Sequence, residues 1–420
     1  MLMTFLLTPL SAISTEKDLS LSNEEKYNLS SNIATTEVYF DNIPTNPILY
    51  KDSYTYSDIN LNNGLKLIKS DTKLSVINMR INDNSIPVFE LADGSFIEAS
   101  HQNIYDDVVY NQSSENLDFW LEDSFLTYSA PYTNGIKEVK NNLSSYTMVH
   151  ATQKATTYHG TYYKINNYWI NDTFLSTSDN RMEKVQSLLS QKYNKSDYSI
   201  YVKQLDSKES AGINADMTMY AASVAKLATL YYVEEQMQNG TISANDKLTY
   251  TDKVNSFEKA YDVSGSGNMV KTADNKDYTI AELLSAVAQN SDNVATNILG
   301  YYVAHQYDAD FQSEVTSIAG ANWDMKSRSI SAKTAANLME AIYYQNGDIV
   351  SYLSSTDFDT SRISKDIPVQ VAHKIGDAYD YKHDVAIIYA DEPFILSIFT
   401  NNADYDDITN IANDVYAILK

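Results

Sequence analysis

No cysteine occurs anywhere in the 420 residues. That excludes disulfides, thiol catalysis, zinc fingers and cysteine-ligated clusters. Basic side chains are also scarce: 31 Lys and Arg stand against 55 Asp and Glu, a formal charge of −24. No Lys/Arg-rich run relieves this acidity, and an acidic surface repels nucleic acid and anionic lipid headgroups. Neither is expected as a partner, and solubility is the plain reading of the charge. No apolar run approaches the ~18 residues that a membrane span needs. The histidines His101, His150, His159, His305 and His373 have no ligand spacing, so neither metal nor cofactor is expected.

What is present suffices for ordinary cores, since 43% of residues are hydrophobic and only 20% are charged. The length predicts two or three domains. Residues 1–12 carry an apolar run from Phe5 to Leu7, then Pro9 and a small-residue ending at Ala12. This resembles the end of a secretory signal, without the basic start, and predicts export. Residues 13–45, rich in Ser, Thr, Asn and Glu, read as a linker.

An internal repeat fills residues 46–178. Asn63-Gly64-Leu65-Lys66 returns as Asn134-Gly135-Ile136-Lys137, and Phe89-Glu90-Leu91 with Phe96-Ile97 returns as Tyr163-Lys164-Ile165 with Trp169-Ile170. Short alternating runs broken by Asn, Asp and Gly predict two small all-β units, 46–103 and 117–178. Their closing hairpins resemble those of bacterial SH3-like modules on wall enzymes, which implies small barrels and a possible wall-polymer partner. Residues 1–178 hold 21 acidic against 11 basic side chains, so charge argues against a polyphosphate polymer. Tyr162, Tyr163, Tyr168 and Trp169 are expected mainly as core, with stacking on sugar as the lesser reading.

From Asn180 the texture changes. Helical spacing over Arg181–Tyr193 precedes strand-like runs at 198–205 and 210–217 and a long helix from about Ala222 to Met237 that stops at Asn239-Gly240. Helical patterns recur at 280–289, 294–303 and 334–344. Two strands, 384–389 and 394–400, and a helix from 406 to 419 close the chain. Strands and a helix at both ends predict an α/β (α+β) domain over 180–420 whose sheet joins the termini.

Ser223-Val224-Ala225-Lys226 is a Ser-x-x-Lys, a weak pattern that also occurs at Ser14, Ser70 and Ser256. Only Ser223 opens a long apolar helix. There the spacing puts the Lys226 amine on the face of the Ser223 hydroxyl, and burial would let the amine take the serine proton. Ser291-Asp292-Asn293 follows between two helical patterns, and His373-Lys374-Ile375-Gly376 precedes the last strands.

In this order the three elements resemble the signature of the β-lactamase and penicillin-binding-protein superfamily, closest to class A-like serine hydrolase domains of Gram-positive bacteria. The resemblance implies that Ser223 attacks an acyl carbonyl with Lys226 as proton acceptor. It implies that Ser291 relays the proton, that Lys374 keeps the relay polarised, and that Asn293 holds the substrate's side-chain amide. Asp292 would bracket its loop. The N–H groups of Ser223 and Asp377 would form an oxyanion hole, and Gly376 would be small to admit substrate. The implied partners are a peptidoglycan stem peptide of the D-Ala-D-Ala type or a β-lactam, and the implied location is an extracellular, Gram-positive cell wall.

Two positions depart from the pattern. Ile375 replaces the hydroxyl that helps bind a substrate carboxylate, which should cost about one charge-assisted hydrogen bond (roughly 1.5–3 kcal/mol). The Glu-x-x-x-Asn loop of class A enzymes is missing: between Asn293 and Ser331 the only glutamate is Glu314, with Ile318 four residues on. Acylation with slow deacylation is therefore expected. The alternatives are a degenerate wall-binding scaffold and, third, a true class A β-lactamase. The adjacent His383-Asp384 is expected to pin a turn rather than to work as an acid–base pair.

Overall fold

The computed structural model describes residues 20–30 and 38–420. The signal-like segment 1–12 lies outside the described residues. The chain divides at Thr177/Ser178 into two compact units. Among the described residues no helix is long and apolar enough to cross a membrane.

In the first unit, α1 (Asn23–Ser30) lies within the stretch expected as linker. Ser22 and Glu25 exchange capping-box hydrogen bonds at its start. Phe40, in the same stretch, is buried against Phe89 and His101, so the packed chain begins before residue 46. Twelve strands follow: β1 (Pro47–Leu49), β2 (Ser53–Tyr56), β3 (Gly64–Ile68), β4 (Val76–Ile81), β5 (Pro87–Leu91), β6 (Phe96–Glu98), β7 (Ile104–Asp106), β8 (Val109–Leu121), β9 (Met148–Thr157), β10 (Gly160–Ile165), β11 (Tyr168–Asn171) and β12 (Leu175–Ser176). They form two five-stranded antiparallel sheets, ordered β3-β2-β6-β5-β4 and β11-β10-β9-β8-β12, and a β1–β7 pair.

The repeat is partial. The hairpins β5–β6 and β10–β11 coincide with the matched endings, but Gly64–Ile68 is a strand whereas Asn134-Gly135 form a turn followed only by an isolated bridge at Glu138. Tyr162 and Trp169 are buried, which makes them core as expected.

The second unit contains α2 (Arg181–Lys192), β13 (Tyr198–Gln204), β14 (Ser210–Ile213), β15 (Thr218–Tyr220), a 3₁₀ turn at Ala222–Lys226, α3 (Leu227–Gln238), β16 (Lys247–Thr249), β17 (Asp277–Thr279), α4 (Ile280–Gln289), α5 (Asn293–Tyr302), α6 (Ala309–Ala319), β18 (Ser329–Ser331), α7 (Ala332–Gln345), α8 (Asp348–Leu353), β19 (Val371–Ala378), β20 (Tyr381–Ile388), β21 (Phe394–Asn401) and α9 (Tyr405–Leu419). The central sheet is antiparallel in the order β14-β13-β21-β20-β19, so residues from both ends of the unit share one sheet.

Alternation along β20 explains the two layers. Ala386 and Ile388 pack with Val185 and Leu189 of α2 and with Ile411 and Val415 of α9. Val385 and Ile387 face the other way, into a larger core with Leu338 and Met339 of α7 and with α3. Leu227–Glu234 of α3 are buried on every side, as suits a helix apolar all round. This central helix carries the Ser223 turn at its head, and β19 forms the open edge of the sheet beside it.

Candidate active site

Ser223 sits in the first turn of the 3₁₀ segment that runs straight into α3. The N–H groups of such a turn lack intrahelical partners, so a positive field surrounds the hydroxyl. Ala222, just before it, holds φ at +50°, and Ser291 holds φ at +55°. Left-handed backbone at a non-glycine residue costs on the order of 1–2 kcal/mol, and here it turns both serines toward Lys226.

Lys226 is fully buried, with Nζ 3.0 Å from Ser223 Oγ. Nζ also lies 2.6 Å from the Ser291 carbonyl oxygen and 2.6 Å from Asn293 Oδ1, with Ser291 Oγ at 3.3 Å. Burial, then the nearby Lys374, holds the Lys226 amine well below the usual lysine range. A neutral amine has two N–H donors and one lone pair. The Ser291 carbonyl and Asn293 Oδ1 can only accept, so they take both donors and leave the lone pair for the Ser223 hydroxyl. Asn293 cannot flip to spoil this, because its Nδ2 donates to the Asp262 carbonyl at 2.7 Å.

One Nδ2 hydrogen is thereby engaged, and the second is left as the donor that a substrate amide carbonyl would meet. Asp292 brackets its loop as expected: it caps α5 through Ala295 N at 2.9 Å and accepts from Met269 N at 2.8 Å. A loop over Ser264–Gly267 presses on this corner. A Cβ on Gly265 would stand 2.3 Å from Asn293 Nδ2, and one on Gly267, where φ is +105°, would stand 2.1 Å from Asp292 Oδ2.

Lys374 points from β19 into the same cluster and donates to Ser291 Oγ at 2.9 Å. Burial pulls its pKa down to about 7, against the opposing pull of Asp384. Ser291 Oγ therefore lies between two buried amines.

The backbone of β19 supplies the other wall. Tyr389 N donates to Gln370 O, and the β19–β20 register is unbroken from Val371↔Ile388 to Ala378↔Tyr381. An antiparallel ladder alternates bonded and non-bonded pairs, so Lys374 and Gly376 turn their backbone groups to β20, while Ile375 and Asp377 turn theirs to the open edge. The Asp377 N–H is thus on the side where an oxyanion donor is needed. Gly376 has a further reason to be small. A Cβ there would come 2.5 Å from the Ala221 carbonyl and 3.1 Å from Val224 Cγ2. Close packing of the strand on the nucleophile turn by itself demands glycine.

His383 and Asp384 point to opposite faces of β20. His383 Nδ1 accepts from Thr400 N, so its Nε2 donates to the Tyr220 carbonyl at 2.9 Å. Burial pushes its pKa down to about 4, so the ring is neutral and pins the strand before Ser223. Asp384 instead pairs with His373 Nδ1 at 3.0 Å, and His373 Nε2 reaches Asp359 at 3.1 Å. Despite burial, the two carboxylates push the His373 pKa up to about 9.

Sequence reading missed Tyr261 and Arg328. Lys226 Nζ lies 4.8 Å from the Tyr261 ring centroid, and the Arg328 guanidinium lies 3.6 Å from it. Arg328 donates to the carbonyls of Lys259 and Ala260. No local pattern marks them; the nearest signal is the Gly265-Ser266-Gly267 loop that follows Tyr261. Among the described residues no carboxylate has a hydrogen bond to Ser223 or Lys226. Glu314 lies on α6, its pKa raised by burial and then by Glu235 of α3.

Residues 180–419, more than half of the chain, match the family model for the beta-lactamase enzyme family. The chain belongs to the beta-lactamase enzyme family. A second model, a domain of unknown function (DUF5776), matches residues 39–104. Similar solved structures include PBP-A, 19% identical with a TM-score of 0.47, covering 57% of this chain and 94% of that one. A beta-lactamase from Sphaerobacter thermophilus DSM 20745 is 18% identical with a TM-score of 0.46, covering 56% of this chain and 96% of that one. One from Francisella tularensis is 17% identical with a TM-score of 0.45, covering 57% and 98%. No curated protein matches. The beta-lactamase-family unit therefore has a serine hydrolase fold, and the Ser223, Ser291 and Lys374 elements converge within it.

Proposed function

We propose that this protein is an exported serine acyl-hydrolase that forms an ester at Ser223 with a D-Ala-D-Ala-type peptide or a β-lactam and releases it slowly. The observation that carries the reading is the fully buried Lys226 amine 3.0 Å from Ser223 Oγ, which once deprotonated keeps its two donors for the Ser291 carbonyl and Asn293 Oδ1 and turns its lone pair to the serine. In acylation the Ser223 proton passes to Lys226 as Oγ bonds to the carbonyl carbon. The developing oxyanion is met by the N–H groups of Ser223 and Asp377. The C–N bond then breaks, and Ser291 Oγ, held by Lys374, hands a proton to the leaving nitrogen and is resupplied from Lys226. Water must afterwards cleave the ester, and among the described residues no carboxylate is hydrogen-bonded to Ser223 or Lys226 to activate it. Slow turnover follows.

The signal-like segment and the small β units support a wall-associated location of the Gram-positive type. We read the two five-stranded sheets as SH3-like modules facing wall polymer, and a pull-down on purified wall polymers tests this; failure to bind leaves them as spacers. One observation favours a degenerate scaffold instead: Ile375 offers no hydroxyl on the edge strand.

Intact mass after incubation with a reporter penicillin decides between enzyme and scaffold. A stable adduct that Ser223→Ala abolishes supports the proposal. No adduct at high penicillin concentration removes the penicillin-binding reading.

A further inference from the structure

The open end of β19 carries a carboxylate one residue beyond the glycine that packs on the nucleophile turn. Asp377 turns its backbone to the edge, and its side chain is 35% exposed. Its Oδ2 accepts from Arg362 Nη2 at 2.6 Å and from the Tyr405 hydroxyl. Arg362 is buried, with its guanidinium 3.9 Å from the Tyr405 ring centroid. Arg362, packed against this end of the strand, is thus already paired with a carboxylate of the chain itself.

Four other cations are poorly placed to replace it. Lys226 and Lys374 are buried with lowered affinity for their protons, and Arg328 is committed to backbone carbonyls beneath Tyr261. Lys382 faces Asp377 across the ladder but makes no ion pair with a carboxylate among the described residues, and Asp380 lies exposed nearby. An exposed amine beside a like number of carboxylates attracts an anion weakly. Ile375, whose backbone shares the open edge, contributes no hydroxyl.

We infer that Asp377 occupies the place of a substrate carboxylate, so that the site selects acyl compounds whose leaving group is neutral or cationic. Ser223 Oγ then takes the acyl group as the bond to the alcohol or amine breaks, and that leaving group departs with the proton that Ser223 gave up. A leaving group that ends in a free carboxylate, as in a D-Ala-D-Ala peptide or a penicillin, finds Arg362 already paired with Asp377 and acylates Ser223 more slowly than the corresponding amide. This inference rests on the proposed acylation of Ser223.

The test uses the full chain and a matched pair of acyl-D-alanyl thioesters, one ending in a free carboxylate and the other in the primary amide. Thiol release reports acylation, and intact mass locates it on Ser223. The amide is expected to acylate ~10-fold faster at low salt. The preference should shrink as salt screens Asp377, and Asp377→Asn should narrow it by speeding the carboxylate compound. If Asp377→Asn fails to fold, the salt dependence of the natural protein decides alone. Equal or faster acylation by the carboxylate compound overturns the inference while leaving the hydrolase reading intact. No acylation of Ser223 by either compound overturns both.

Discussion

Asn293 Oδ1 lies 2.6 Å from Lys226 Nζ and, as a pure acceptor, fixes which way the amine's lone pair points. Asn293→Asp keeps the shape but adds a negative charge at that distance. An adjacent carboxylate favours the ammonium form, typically by about 1–3 pKa units. The variant should fold and acylate on the order of 100-fold more slowly at neutral pH, with the deficit easing at alkaline pH. Penicillin adduct formation followed over a pH series would show it, and an unchanged rate at neutral pH would refute the role of the neutral amine.

Lys374 acts on the same amine from the other side. Its positive charge is, after burial, the largest influence holding the Lys226 proton affinity down. Lys374→Met should therefore raise the Lys226 pKa and move the acid limb of the acylation profile to higher pH, by on the order of one unit. The maximal rate should also fall, because Ser291 Oγ loses its donor. A lower plateau with the acid limb unmoved would mean that the two amines are not coupled.

Behind β19, His373 is charged and clamped between Asp384 and Asp359. Its folded pKa of about 9 exceeds the ordinary value of 6.5. The raised value means that its stabilisation is complete below about pH 6.5 and is lost as pH rises through about 9. The full effect is on the order of 3 kcal/mol. In urea unfolding of the natural protein against His373→Gln, the stability difference should be large at pH 6 and small at pH 9.5. Contributions from the buried lysines are common to both proteins and cancel in that difference. A gap that does not vary with pH would remove the charged-histidine account.

Gly376→Ala asks for space that does not exist, since the added methyl would meet the Ala221 carbonyl at 2.5 Å. Overpacking of this kind costs typically ~1–3 kcal/mol, and here it must push the strand from the nucleophile turn. Thermal unfolding should fall by several degrees and acylation should drop at least as sharply as in Asn293→Asp. A variant that keeps full acylation would show that the strand and the turn are not rigidly coupled.

The sequence made most of the helices and the last two strands of the second unit legible, the strands because β20 and β21 alternate large apolar residues for two buried faces. β19 was harder to see. His373 and Lys374 are polar residues whose burial only their partners Asp384 and Ser291, distant in sequence, make tolerable. The same holds for Tyr261 and Arg328, whose meeting depends on loops that no periodicity describes. α6 was missed as well, although Asp308 caps it through Phe311 N and Gly320 ends it in a left-handed turn. In the first unit the matched hairpins were visible, but the turn after Gly135 was not, because Asn-Gly suits a strand end and a loop equally.

The outward-facing backbone of Ile375 and Asp377 carries one more consequence. Main-chain donors and acceptors are the same for every amino acid, so a guest that lies along this rim is held in register without being read letter by letter. Discrimination then falls to the ends of the guest, where one end meets the carboxylate of Asp377. Such a rim lets a single scaffold accept many acyl chains while staying strict about a single charge.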